Sequence, residues 1–152
     1  MTTSVHGLEE IKALTGKDLG HTDWLQIDQD RVDTFATATD DHQWIHVDPE
    51  RAAAGPFGGT IAHGYLTLAL LIPLMTELLD VSGVRMSINY GLEKVRFPAP
   101  VPVGAKIRLT GRVVSADEVA GDGVQVTVDF TVEIEGSAKP ACVARGIYRH
   151  YA

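Results

Sequence analysis

The chain has 152 residues, 45% of them hydrophobic and 22% charged, with a formal net charge of −7. This is ordinary globular composition for a single domain, 1–152, long enough to bury a core, and it excludes a disordered or fibrous chain. The negative balance argues against nucleic acid as a partner, and no apolar run approaches the roughly 20 residues of a membrane span.

The N-terminal MTTSVHGLEE carries neither the basic nor the apolar region of a secretory signal. Cys142 is the only cysteine, which rules out an internal disulfide and fits a reducing compartment, so the cytoplasm is the expected location. A phosphate-bearing ligand would need a local basic patch. Lys94, Arg96, Lys106 and Arg108 supply one if their strands lie side by side; otherwise they are a solvated sheet edge.

In chain order, residues 7–15 read as a short helix and 24–27 as a short strand. Asp28 is placed to cap a helix over 29–38, whose apolar face holds Val32, Phe35 and Ala36. A polar loop follows. Asp48-Pro49-Glu50 then has the form of a helix start: a capping carboxylate, proline at the first helical position and an acid in the first turn. That helix is brief, because Gly55-Pro56-Phe57-Gly58-Gly59 breaks it. Thr60 is the expected cap of a long apolar helix over 61–79, which Pro73 should kink or end early.

From Val84 the period changes to two. Residues 124–134 alternate apolar and polar without a fault, as a half-buried antiparallel strand does. Segments 105–115 and 141–151 are its expected neighbours, and Gly121-Asp122-Gly123 is a turn. In 87–97 the apolar parity shifts near Gly91, which predicts a bulge, and Pro98, Pro100 and Pro102 end the strand. Helices followed by strands indicate an α+β fold with four or five strands covering one long helix.

The chemistry-bearing residues concentrate in two places. Asp40, Asp41, His42, His46 and Asp48 fall in or beside the loop, and His63 lies just beyond it. Clustered titratable groups beside a loop are where shifted protonation and catalysis tend to occur. The i, i+4 spacing of His42 and His46 also fits two metal ligands, but only on a helix, and this segment reads as loop. A carboxylate and an imidazole in one loop can instead converge on a single water, as acid and base. Gly59-Thr60-Ile61-Ala62-His63-Gly64 offers a donor for developing negative charge: a glycine in a helix's first turn exposes its N–H. The alternative duty of Gly64 is to let the helix pack closely against the sheet.

Thr39-Asp40-Asp41-His42-Gln43-Trp44-Ile45-His46, with Ala52 beyond it, resembles the signature of the MaoC-like or hydratase 2 family of (R)-specific enoyl-CoA hydratases. Ile61-Ala62-His63-Gly64 resembles that family's second segment, and the stretch from Val95 to Gly104 its following strand and loop. The Gln-Trp-Ile-His form looks most like the mycobacterial short-chain and nodulation protein N-like branch. The resemblance implies a hot-dog fold, in which an antiparallel sheet wraps a central helix, and a homodimer. It places the catalytic pair on Asp41 and His46 and the backbone donor to the thioester oxygen on Gly64, with Gln43, Trp44 and His63 as substrate-binding or supporting residues. Asp40 stands where the family pattern has glycine, and Gln43-Trp44 where it has Asn-Pro. The implied reaction is hydration of trans-2-enoyl-CoA to (R)-3-hydroxyacyl-CoA, with an acyl-CoA or acyl carrier protein thioester as substrate and no metal or other cofactor. An acyl-CoA thioesterase and a non-catalytic acyl-thioester-binding protein are the other readings of the same fold.

Overall fold

The strict alternation of 124–134 is realised in a computed structural model that describes residues 1–152. There β7 (Gly123–Ile134) buries Val124, Val126, Val128, Phe130 and Val132 on one face, and turns Asp129 to the other. It pairs antiparallel with β6 (Lys106–Val119) on one side and β8 (Cys142–Tyr151) on the other. The β6–β7 hairpin closes through Gly121 and Asp122, both at positive φ, where the predicted turn lies. On the outer face Arg145 forks onto the Asp129 carboxylate directly across the ladder, at 2.7 and 2.9 Å.

The sheet runs β2 (Asp18–His21), β6, β7, β8, β5 (Met86–Arg96), with the two-residue β3 (Leu25–Gln26) also paired to β6. β5 shifts register on β8 between Asn89 and Gly91 and again between Leu92 and Lys94, so the parity break in the sequence is a pair of bulges. This order corrects the expected basic patch. Lys94 and Arg96 lie on β5, and Lys106 and Arg108 on β6, with two whole strands between them. Arg108 is instead paired with Glu133 and stacked on Trp24, 4.6 Å from the ring centroid.

A second, two-stranded parallel sheet joins β1 (Thr3–His6) to β4 (Leu79–Ser82). Neither β1 nor β2 is visible as an alternation in the sequence, since each has four residues. The first helix, α1, spans Gly7–Lys12, shorter than the sequence predicts. α2 (Gln29–Thr39) begins where predicted, with the Asp28 carboxylate accepting from the Arg31 N–H at 2.9 Å.

The predicted long helix is two segments, α5 (Gly64–Ala69) and α6 (Leu71–Leu78), separated at Leu70. Pro73 explains the position of the break: it gives no N–H to the Ala69 carbonyl, and its ring crowds that carbonyl. The helix starts at Gly64, three residues later than expected, so Thr60 is not its cap. Thr60 Oγ1 donates instead to Gln29 Oε1 at 2.6 Å. The buried faces of α5 and α6 (Leu66, Leu70, Leu71, Leu74, Leu78) share one cluster of 28 buried residues with Ile107, Leu109, Val113 and Val128 of the sheet. Its outer side is not fully covered: Tyr65 is 73% exposed and Ile72 39%. No helix is long and apolar enough to cross a membrane.

Candidate active site

α2 ends in a left-handed residue, Asp40, at φ 61°. Glycine is the usual choice at that position after a helix, and a short polar side chain is the tolerated alternative. The departure of Asp40 from the family pattern is therefore a backbone matter. The turn throws the chain out so that Asp41, His42 and Gln43 are all exposed. The chain then re-enters through α3 (Trp44–Val47), a single helical turn where the sequence predicted loop. α4 (Pro49–Ala53) follows at once, with the Asp48 carboxylate accepting from the Arg51 N–H at 3.1 Å, the capping role predicted for it.

That one turn points His46 inward, leaving it 7% exposed. His46 Nδ1 lies 2.7 Å from the Ile61 carbonyl oxygen. A carbonyl only accepts, so Nδ1 carries a proton, and the neutral form of this ring has its lone pair at Nε2. His63, also buried, sets its Nε2 3.0 Å from the Asp41 backbone oxygen, and by the same reasoning donates to it. Its Nδ1 is sealed from solvent without a partner. The two imidazoles stack with centroids 3.9 Å apart and planes 24° from parallel, and the Phe35 ring is tilted against His63 at 4.9 Å between centroids.

A carboxylate oxygen of Asp41 and a ring nitrogen of each of His46 and His63 fall within 4.8 Å of one another. The partner of His46 is thus His63, not His42, which is exposed and outside this group. Three such residues are also a possible donor set for a metal, but the stack fits one poorly. Imidazole lone pairs lie in the ring plane, so nearly parallel rings aim theirs side by side rather than at one point. One nitrogen of each ring is also already committed to a carbonyl.

Beside His46 is a cavity of about 320 Å³, lined chiefly by apolar groups, including Ile61, Phe97 and Val101, together with Gly64 and Thr67. Gly64 is the first residue of α5, so its N–H has no intrahelical acceptor. A Cβ at this position would sit 3.2 Å from the Phe97 ring, so close packing is also one of its duties. Trp44 does not line the cavity. The Arg51 guanidinium lies 4.4 Å from its ring centroid, and Gly55 leaves room for its edge, which ties α3 to α4. Gln43 makes no side-chain capping bond at the start of α3.

Gln29 is the residue sequence reasoning missed. Its Nε2 donates to the His46 carbonyl at 2.7 Å and to Asp33 at 2.9 Å, and its Oε1 accepts from Thr60. One amide therefore joins α2, the turn carrying His46 and the strand-like segment before Gly64. Nothing in its spacing marks it; the only hint is an amide immediately after a helix cap.

Comparison with known proteins fits this geometry. The model of the MaoC like domain matches residues 10–134. The chain is 58% identical over 143 residues to 3-hydroxyacyl-thioester dehydratase Z of Mycobacterium tuberculosis, covering 94% of this chain and 95% of that protein. It is 45% identical over 144 residues to nodulation protein N of Rhizobium leguminosarum bv. viciae, covering 92% and 88%. Among solved structures, the (R)-hydratase from A. caviae involved in PHA biosynthesis superposes with a TM-score of 0.69 at 23% identity, covering 88% of this chain and 94% of that one. The shared arrangement of antiparallel sheet and central helix is the hot-dog fold that the sequence resemblance implied. With the family match spanning most of its length, and a relative this similar along nearly all of it, the chain belongs to the MaoC-like family.

Proposed function

We propose that the protein hydrates trans-2-enoyl-CoA reversibly to (R)-3-hydroxyacyl-CoA. Family membership and near full-length similarity to a named dehydratase make it a hydratase–dehydratase enzyme. The observation that carries the finer reading is the meeting of the Asp41 carboxylate with a buried His46 at the edge of an apolar cavity.

The fixed tautomer of His46 supplies a lone pair at Nε2, and Asp41 an acceptor beside it; together they hold one water. One O–H proton passes to the pair, the hydroxyl bonds to C3, and the pair returns a proton to C2 from the same face. The Gly64 N–H takes the negative charge that develops on the thioester oxygen. The elements of water are added with no net oxidation or reduction, so the reaction as written calls for no redox group. His63 serves as support, holding the Asp41 backbone and flanking His46. Trp44 supports the turn that carries His46.

General acid–base catalysis is worth about 10²–10⁴-fold, or about 3–5 kcal/mol of barrier. Asp41→Asn and His46→Gln should therefore abolish nearly all loss of the enoyl absorbance of crotonyl-CoA. Wild-type rates in either variant would remove the assignment, and release of free CoA would instead make the enzyme a thioesterase.

A homodimer completes the reading. The edge strand β5 exposes Ile88, Tyr90 and Leu92, and the central helix exposes Tyr65 and Ile72, apolar side chains that a second copy of the chain would cover. Sedimentation should give twice the 16.4 kDa chain mass, and a monomer at micromolar concentration would contradict it.

A further inference from the structure

Of the five threonines on the helices, Thr37 of α2 is exposed and makes no side-chain hydrogen bond; the other four can be compared. Thr34 and Thr39 of α2 turn theirs back onto the carbonyls of Asp30 and Phe35, each at 2.8 Å, and Thr76 of α6 onto Pro73 at 2.6 Å. This back-bonding is the usual recourse of a helical threonine. Thr67 of α5 is more buried than any of them, at 3% exposed, yet its hydroxyl makes no hydrogen bond within the chain. Its N–H reaches the His63 carbonyl at 3.2 Å, so that acceptor lies close by and the side chain does not use it.

A buried hydroxyl without a partner is costly unless something outside the chain satisfies it. The only side-chain polar atom sealed without a partner is His63 Nδ1, so the Thr67 hydroxyl is not sealed. Thr67 lines the cavity shared with His46 and Gly64, the opening through which an outside group would reach its hydroxyl. Thr67 follows Gly64 by three residues on the same helix, and residues at that spacing share a face.

We infer that the Thr67 hydroxyl is a substrate-binding donor to the thioester oxygen, acting with the Gly64 N–H. The inference rests on the hydration reading above and adds a side-chain donor to it. A carbonyl oxygen that gains charge has lone pairs for two donors, and one backbone amide fills only one of them. A donor aimed at developing charge stabilises the transition state more than the ground state, so its loss appears mainly in kcat.

The test compares Thr67→Val and Thr67→Ser with wild type and Asp41→Asn, using crotonyl-CoA hydration and thermal unfolding. Thr67→Val keeps the shape and removes the hydroxyl. It should lower kcat by about 10–100-fold, at or below the usual effect of one such donor, with KM little changed. Its Tm should stay level or rise, because an unpaired polar group leaves the interior. Thr67→Ser restores the donor and should recover most of the loss. Wild-type kcat in Thr67→Val, beside an inactive Asp41→Asn, overturns this inference and leaves the hydration reading standing. A Thr67→Ser variant as slow as Thr67→Val, or a Tm that falls with kcat, makes the residue a packing element and also overturns it. A wild type that does not hydrate crotonyl-CoA removes both.

Discussion

The sheet and the segment from Asp40 to Gly64 are held by different means. Along β6, β7 and β8 every second side chain enters one core, and the ladders are continuous but for one shift of register between β6 and β7. The site segment has no such redundancy. His46 is positioned by single bonds: its Nδ1 to the Ile61 carbonyl, its own carbonyl to Gln29, and the Ile61 N–H to the Ile45 carbonyl at 3.0 Å. His63 binds the Asp41 backbone by one more. Stability is therefore spread over many contacts in the sheet, while the alignment of the proposed acid–base pair depends on a few. A substitution in the first region should cost stability before activity, and one in the second the reverse.

The largest expected effect on stability lies in the sheet. Leu109 is fully buried on β6, opposite Val132 of β7 and in the same core cluster as the leucines of α5 and α6. Leu109→Ala removes its contacts and leaves a cavity, at about 2–5 kcal/mol. Denaturant unfolding should show a lower midpoint at unchanged slope, and crotonyl-CoA turnover per folded molecule should remain near wild type. A loss of turnover in fully folded protein would mean that the sheet and the site are less separate than their bonding suggests.

The same division explains what was legible in the sequence. Alternation found β7 and its neighbours, because a one-residue slip would put Val126 and Val128 in water, so the pattern has one solution. The caps at Asp28 and Asp48 were legible because each carboxylate acts within three residues of itself. The short strands β1 and β2 were not, since four residues carry too little pattern. The start of the central helix was misplaced because Thr60 suits a cap locally, while its actual partner, Gln29, is 31 residues away. At the site, resemblance pointed to Asp41, His46 and Gly64, and the structure brings the two side chains together with His63. The stack of His46 on His63, the Gln29 amide and the unpaired Thr67 hydroxyl arise from contacts between distant segments, on which local pattern is silent.

Gln29 is the point at which the two modes of support can be separated. Its amide is half-buried at the start of α2, outside the cavity, and it touches the proposed pair only through the His46 carbonyl. Gln29→Leu keeps most of the volume but leaves that carbonyl and the Thr60 hydroxyl without their partner, which costs roughly 1–3 kcal/mol if both remain buried. Part of that cost is avoidable, because α3 is a single turn and can shift outward until water reaches the carbonyl. The shift would carry His46 with it, and misplacement of about 1 Å at a reacting group can cost as much as 10²-fold in rate. Gln29→Leu should therefore lower crotonyl-CoA turnover by about tenfold or more, with a smaller loss of stability than Leu109→Ala. Gln29→Glu retains an acceptor for Thr60 but, when ionised, no donor for the His46 carbonyl, so it should resemble Gln29→Leu in rate. If Gln29→Glu keeps wild-type turnover, the bond to His46 is not what positions the pair, and the contrast between the two regions rests on the histidine stack and the Ile61 carbonyl alone.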